Sequence, residues 1–190
     1  MLRPSYPIST ERLVLRPYAE SDFPALCELF ARPEVLRYLY DEPRTPEKVR
    51  ELLDERIGNV AWEQEGDYLS LVAARKQDPG TPIGNVMLHW ISAPHRSAEV
   101  GYTLHPDAWG QGYATEATRA LIDLGFGKTD LHRIVGRLDA RNAASQRVLT
   151  KVGMRTEAHL VENEWVKGEW TSEIVCAILR HEWEQTQLLD

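Results

Sequence analysis

The stretch "DAWGQGYATEATRALIDLGF", beginning at Asp107, limits the possible folds of this chain more than any other. A glycine-punctuated turn runs directly into apolar residues at helical spacing, with Gly110, Gly112 and Ala114 at alternate positions where the helix begins. A helix start leaves backbone N–H groups without acceptors and carries a partial positive charge. Small residues keep side chains clear of that end, which suits a phosphate. Two known phosphate-binding patterns do not fit. The loop of nucleotide hydrolases needs Lys and then Ser or Thr after its last Gly, and Tyr113 and Ala114 stand there. A dinucleotide fingerprint needs a third Gly or Ala at position 115, which is Thr, and here the helix follows several antiparallel-looking strands.

Alternation and capping residues organise the rest. "RLVLRP", Arg12 to Pro17, reads as a strand stopped by proline. "SDFPALCELFA" reads as a helix with Phe23, Leu26 and Phe30 on one face and Ser21 or Asp22 as its cap. "TPEKVRELLDERI" is a second helix, with Thr45 as cap and Pro46 in the first turn. "DYLSLVAAR" and "PIGNVMLHWI" are strands joined by "DPGTP" as the turn, and "AEVGYTL" is a third strand. A helix is expected from about Tyr113 to Gly125, then a strand "RIVGRLD". "NAASQRVLTKVGM" follows as a helix that Asn142 can cap and Gly153 ends. "EWTSEIVCAILR" is a late strand and "HEWEQTQLL" a terminal helix. This order implies an α+β fold, a mixed and mostly antiparallel sheet flanked by helices.

Composition excludes some functions. A chain of 190 residues with 43% apolar residues can bury one sizeable core, so residues 1–190 are expected to form a single domain. A formal net charge of −7 argues against a nucleic-acid partner. No apolar run reaches membrane-spanning length and the first residues lack the apolar centre of a signal peptide, so no membrane partner and a cytoplasmic location are expected. Cys27 and Cys176 have no metal-ligand spacing, and no metal is expected.

The central stretch resembles the pyrophosphate motif of the GNAT N-acetyltransferases, where alternating small residues let a loop and helix start hold coenzyme A. The family pattern is Gln or Arg, two residues, Gly, one residue, then Gly or Ala; this chain has Trp109, Gly112 and Ala114. Trp in the first position is similar to the RimJ/RimL-like branch, the ribosomal-protein-alanine N-acetyltransferases and relatives that act on other amines. "TERLVLRPYAESDFPAL", "PEVLRYL", "AEVGYTLHPDAWGQGYATEA", "RNAASQRVLTKVGM" and "KGEWTSEIVCAILRHEW" resemble that branch in the same order, over nearly the whole chain.

The resemblance implies a GNAT fold, acetyl-CoA as co-substrate, and transfer of its acetyl group to a primary amine by direct attack in a ternary complex. It assigns Trp109, Gly110, Gln111, Gly112, Tyr113, Ala114 and Thr115 to the cofactor cradle. Tyr102, Thr103 and Leu104 match a strand that splays open, where a backbone N–H faces the thioester oxygen. Asn142 and Ser145 share a helix face; from the residues alone Asn142 can cap the helix or bind a ligand, and the resemblance sends it to the pantetheine arm. Arg147 and Lys151 could reach coenzyme phosphates. Where many members carry a proton-donating Tyr, seven residues after the Asn, this chain has Leu149, and the resemblance to the RimJ/RimL-like branch gives Ser145 as the replacement. Glu164 and Glu99 are the candidate bases, with Glu164 slightly ahead and His89 and His105 behind.

The acceptor is left open among a protein N-terminus, a polyamine and an aminoglycoside-like amine. The first two helices and the "ENEWVKGEW" hairpin, with Trp90, Trp165 and Trp170, are expected to shape its side of the site. A homodimer is compatible with the family. The missing Tyr keeps a second reading open, a catalytically silent GNAT-fold protein that binds coenzyme A or a protein partner.

Overall fold

The computed structural model describes residues 1–188. In chain order the elements are β1 (Ile8–Ser9), β2 (Leu13–Arg16), α1 (Phe23–Phe30), α2 (Pro33–Leu36), α3 (Pro46–Ile57), β3 (Tyr68–Arg75), β4 (Asp78–Ser92) and β5 (Ser97–Leu104). Then come α4 (Tyr113–Lys128), β6 (Arg133–Asp139), α5 (Ala143–Lys151), β7 (Arg155–Val166), β8 (Glu169–Leu179) and α6 (Arg180–Gln187). The eight strands form one sheet in the order β1-β2-β3-β4-β5-β6-β8-β7, with every neighbouring pair antiparallel except β5 and β6. A parallel pair needs a long crossover, and α4 supplies it.

Strand alternation sends successive residues to opposite faces. Ala98, Val100 and Leu104 of β5, Ile134 and Leu138 of β6, and Ile174, Cys176 and Ile178 of β8 pack with Leu121 and Ile122 of α4 and Leu149 of α5. A second apolar cluster lies under α1, α2 and α3, where Leu26, Phe30, Val49 and Leu53 meet Val72 of β3. So α4 and α5 cover one face, and α1 to α3 cover part of the other. Arg180 fixes the far end of α4, its guanidinium donating to the carbonyls of Phe126 (2.9 Å), Thr129 (2.7 Å) and Leu131 (2.7 Å).

Several expectations are corrected. "DPGTP" is not the turn between β3 and β4; the chain reverses at Lys76 and Gln77, and Asp78 to Pro82 belong to β4, whose register against β3 slips twice there. Proline and glycine at a sheet margin here mark a bulged strand rather than a loop. Asp22 precedes α1 but its carboxylate does not cap it: Arg16 holds both oxygens (2.7 and 2.8 Å) and the Ala19 N–H donates to one (2.9 Å). Helix α4 runs three residues beyond Gly125, to Lys128. Thr45 caps α3 as expected, accepting from the Lys48 N–H at 3.5 Å. The short β1 and the long edge strand β7 have no counterpart in the sequence reading beyond the hairpin. Leu189, the last residue of the expected terminal helix, lies outside the described residues. Among the described residues no helix is long and apolar enough to cross a membrane, and no His, Cys, Asp and Glu group could hold a metal.

Candidate functional site

The loop from β5 to α4 is held from two sides. Trp109 donates its indole N–H to the Leu104 carbonyl (2.8 Å), tying the loop to the end of β5. That gives the tryptophan at the start of the motif a structural task. Gln111 donates to the Asp107 carbonyl (2.7 Å). On the other side Arg12 donates to the Gln111 carbonyl (2.9 Å), pairs with Glu116 (2.7 Å), and lays its guanidinium over the Tyr113 ring, 4.7 Å from its centroid. The Glu116 carboxylate also accepts from the Thr10 hydroxyl (2.5 Å) and the Arg12 N–H (2.7 Å). Burial pushes its pKa up, but these bonds outweigh burial and hold it below the usual carboxylate range.

Gly110 and Gly112 have φ of 73° and 81°, a region that favours glycine, and Gly112 is the residue from which α4 starts. Among the described residues none accepts a hydrogen bond from the N–H groups of Gln111, Gly112, Tyr113, Ala114 or Thr115. These donors converge on one helix end with its partial positive charge. The nearby surface of α5 has an open hollow of about 450 Å³ lined by Ala143, Gln146, Arg147, Thr150 and Lys151. Arg119 of α4 donates to the Lys151 carbonyl at its edge (2.8 Å).

Beside the cradle the sheet opens. Strands β5 and β6 pair only at Ser97, Ala98 and Glu99, opposite Arg133, Ile134 and Val135. Beyond that β5 runs on against β4 to Leu104, and β6 runs on against β8 to Asp139. The backbone of Gly101 to Leu104 thus has a β4 neighbour and no β6 neighbour, as the splay expected at Tyr102, Thr103 and Leu104 requires. Gly84 enables this close approach on the β4 side, since a Cβ there would lie 2.2 Å from the Thr103 carbonyl oxygen.

Hydroxyls occupy the helix-covered side of the gap. Asn142 caps α5, its side-chain oxygen accepting from the Ser145 N–H at 3.0 Å. Tyr102 reaches across from β5, its hydroxyl 2.8 Å from the Ser145 hydroxyl and 3.1 Å from the Ser145 carbonyl oxygen. Burial pushes the Tyr102 pKa up to about 12, against a smaller lowering by the Ser145 hydrogen bond. Leu149, one turn further along α5, is 1% exposed and packs on Gly136, where a Cβ would lie 2.8 Å from it.

Carboxylates occupy the opposite side. Arg137 of β6 bridges Glu99 of β5 (3.6 Å) and Glu173 of β8 (3.0 Å). Glu173 is buried. Burial raises the Glu99 pKa; Arg137 opposes the rise and Glu173 adds to it. Glu164 of β7 accepts from the Tyr40 hydroxyl (2.6 Å), and Lys167 in the β7–β8 turn donates to the Leu36 carbonyl (2.6 Å), so the hairpin is tied to α2 and the loop after it. Ser145 and Glu164 are therefore on opposite sides of the sheet, with the open strand pair between them.

Other sequence candidates separate from this centre. His105 is held in the loop by the Asp107 N–H (3.3 Å) and lies 3.3 Å from Glu28. His89 stacks on Tyr68, ring centroids 4.0 Å apart, and burial lowers its pKa. Trp90 stacks on buried Trp62 (5.9 Å), so it packs the core. Trp165 and Trp170 meet edge-on (5.4 Å) and are exposed on the hairpin. Sequence reasoning missed Tyr40, Arg137, Glu173 and the Arg12–Glu116 clamp. Only Glu173 carried a signal, a carboxylate inside the apolar alternation of "SEIVCAIL".

A helix start with unpartnered N–H groups and an opened parallel strand pair thus meet at one place. The family model described as Acetyltransferase (GNAT) domain matches residues 12–155, and the chain belongs to this family of acyltransferases. An uncharacterized N-acetyltransferase, p20, from Bacillus licheniformis is 29% identical over 174 residues, covering 92% of this chain and 96% of that protein. A solved structure of spermidine N-acetyltransferase from Vibrio cholerae in complex with CoA and spermine superposes with a TM-score of 0.76 at 25% identity, covering 90% of this chain and 98% of that one. The structure of RimL, a ribosomal-protein alpha-N-acetyltransferase in complex with coenzyme A, shares the fold, with a TM-score of 0.76 at 24% identity over 91% of this chain and 96% of that one.

Proposed function

We propose that this protein transfers the acetyl group of acetyl-CoA to a primary amine that carries at least one further positive charge, by direct attack in a ternary complex. The observation that carries the reading is the gap between β5 and β6, with hydroxyls on one side and carboxylates on the other. An amine and a thioester that meet in such a gap have opposite proton needs. The amine must lose a proton and the departing thiolate must gain one, so base and acid belong on opposite sides. The whole chain acts as one catalytic unit, as its continuous sheet supports, and works in the cytoplasm, where acetyl-CoA is available.

In this reading the diphosphate lies on the free N–H groups from Gly110 to Thr115, with Trp109 and Gln111 shaping the loop and Tyr113 and Ala114 opening the first turn. Arg147, together with Lys151 and Arg119, faces the remaining phosphate. The pantetheine arm runs between the strands along Tyr102, Thr103 and Leu104 and past Asn142, and a backbone N–H of that stretch polarises the thioester carbonyl. Ser145 stands on the leaving-group side. Of the two carboxylates, Glu99 is assigned as base, because its raised pKa brings it nearer neutrality. Glu164 and Glu173 draw the amine's second charge. Three carboxylates against the Arg137 guanidinium and the Lys167 ammonium leave this side negative by one charge, which supports a polycationic acceptor, as does the likeness to a protein solved with spermine.

The test is thiol release from acetyl-CoA across spermidine, spermine, an aminoglycoside, an N-terminal peptide and a monoamine of matched length. Polycations are expected to exceed the monoamine in kcat/KM by at least ~10-fold, about 1.4 kcal/mol. Preference for the peptide would overturn the acceptor assignment. Tight CoA binding with no release on any amine would favour the silent binding protein instead.

A further inference from the structure

The helix that faces the gap offers few acids. Leu149 is turned into the core, and the Thr150 hydroxyl donates to the Gln146 carbonyl at 3.0 Å. Ser145 is an aliphatic alcohol, a poor acid, and its oxygen lies 2.8 Å from a phenol that comes from the opposite strand. Tyr102 stands three residues beyond Glu99, the last β5 residue paired with β6, so its ring spans the part of the sheet that has come apart. A phenol is the stronger acid of the two hydroxyls, and an alcohol positioned to donate to its oxygen stabilises the phenolate that would form.

We infer that Tyr102 is the proton donor to the thiolate leaving from acetyl-CoA, and that Ser145 is its hydrogen-bonding partner rather than the acid. The inference rests on the acetyltransferase reading above. The amine nitrogen forms the C–N bond as the carbonyl π electrons move to oxygen. When the carbonyl re-forms, the C–S bond breaks and its electron pair goes to sulfur. Sulfur takes the proton of the Tyr102 hydroxyl while the Ser145 hydroxyl donates to the phenol oxygen. The amine's surplus proton leaves through Glu99 to water, and the phenolate regains a proton from water, so one proton is lost and one gained per turnover. The buried Cys176 thiol on β8 is the further titratable group that acts on Tyr102. At neutral pH a phenol whose pKa burial has raised keeps its proton, here donated to the Ser145 carbonyl oxygen at 3.1 Å, until the hydroxyl turns to the departing sulfur.

Two substitutions separate this from a serine acid. Tyr102→Phe removes one oxygen and is expected to lower kcat by about 100-fold with the KM for acetyl-CoA nearly unchanged, whereas Ser145→Ala is expected to cost about 10-fold. The reverse ranking, or a Tyr102→Phe kcat within about threefold of the parent at unchanged melting temperature, overturns the inference. A second measurement needs no acceptor: the dissociation constants of CoA and of desulfo-CoA, which lacks the sulfur, from pH 7 to 10. A phenol aimed at sulfur favours the thiolate, so CoA should gain affinity relative to desulfo-CoA as pH rises, and Tyr102→Phe should lose that gain. If no amine is acetylated yet this gain is present and Tyr102-dependent, the transferase reading fails and the contact to sulfur stands. Active protein in which Tyr102→Phe leaves the ratio unchanged refutes the contact itself.

Discussion

Replacing Arg137 by Met tests the assignment of Glu99 as base more sharply than removing Glu99. The methionine keeps most of the length of the arginine stem and deletes the charge. In the parent protein the guanidinium lies 3.6 Å from one Glu99 oxygen. At that separation two unit charges interact by about 1 kcal/mol in a water-like medium and about 2 kcal/mol at half that dielectric. The Arg137 side chain is 45% exposed, which selects the water-like end of the range. Without that attraction the Glu99 pKa, already raised by burial and by Glu173, should rise further. The assay is the pH dependence of kcat/KM for one polyamine in parent and variant. The amine's own ionisation is common to both profiles, so any displacement of the acid limb belongs to the enzyme. A limb that does not move in a folded Arg137→Met protein would remove Glu99 as the base. Glu99→Gln completes the set, since it should abolish the enzyme's limb and leave only that of the amine.

Thr115→Glu places a carboxylate in the first turn of α4, where the helix dipole gains about 0.3–1 kcal/mol from it, yet it should weaken CoA binding by at least ~10-fold through repulsion of the diphosphate. A melting temperature at or above the parent's with an unchanged dissociation constant would contradict the cradle. Glu116→Gln should cost about 1–2 kcal/mol at pH 7 in urea unfolding, because three donors meet this carboxylate. Its folded pKa is depressed, so its stabilisation is present above the unfolded carboxylate value and fades as pH falls; the gap between parent and variant should close at acid pH. Gly84→Ala forces a Cβ to within 2.2 Å of the Thr103 carbonyl oxygen at φ +153°, and a loss of about 3 kcal/mol or more is expected. An unchanged unfolding midpoint would mean that β4 does not approach β5 this closely.

Local signals in the sequence located most elements, because each rested on chemistry within a few residues. Thr45 and Pro46 start α3, Asn142 starts α5, and Gly110 and Gly112 set up α4, each through a turn that the neighbouring residues determine. "DPGTP" misled because proline and glycine mark any departure from a regular ladder, and only the β3 partner shows that this departure is a bulge. Strand β7 escaped because its charged and apolar residues do not alternate cleanly. Three of its residues, Val161 to Asn163, are spanned between the pairs Leu160–Glu173 and Glu164–Thr171, so the side-chain period is broken. The proposed cofactor side consists of contiguous motifs, which a sequence displays directly. Of the proposed acceptor side only Glu99 and Glu164 were named from the sequence; Tyr40, Arg137 and Glu173 come to it from a loop and two strands that only the sheet brings together.

The single parallel pair explains why all these parts meet in one place. Because β5 and β6 run the same way, their C-terminal ends lie on the same edge of the sheet, and each is followed by a helix that starts there. Ligands of open sheets bind outside the carboxyl ends of strands, where neighbouring connections diverge. Here the divergence is the gap itself. The positive ends of α4 and α5 both approach the gap, but Asn142 occupies a donor of α5 whereas Gly112 has no side chain with which to occupy those of α4. In the proposed reading the diphosphate therefore goes to α4, and α5 is left to present Ser145 toward Tyr102. Antiparallel β6–β8 and β4–β5 pairing then places Glu99 and Glu173 on the far side, within reach of the same opening. On this reading, any substitution that closed the strand pair past Glu99 would abolish acetyl transfer by taking up the backbone of Tyr102 to Leu104, while leaving the start of α4 and the carboxylates in place.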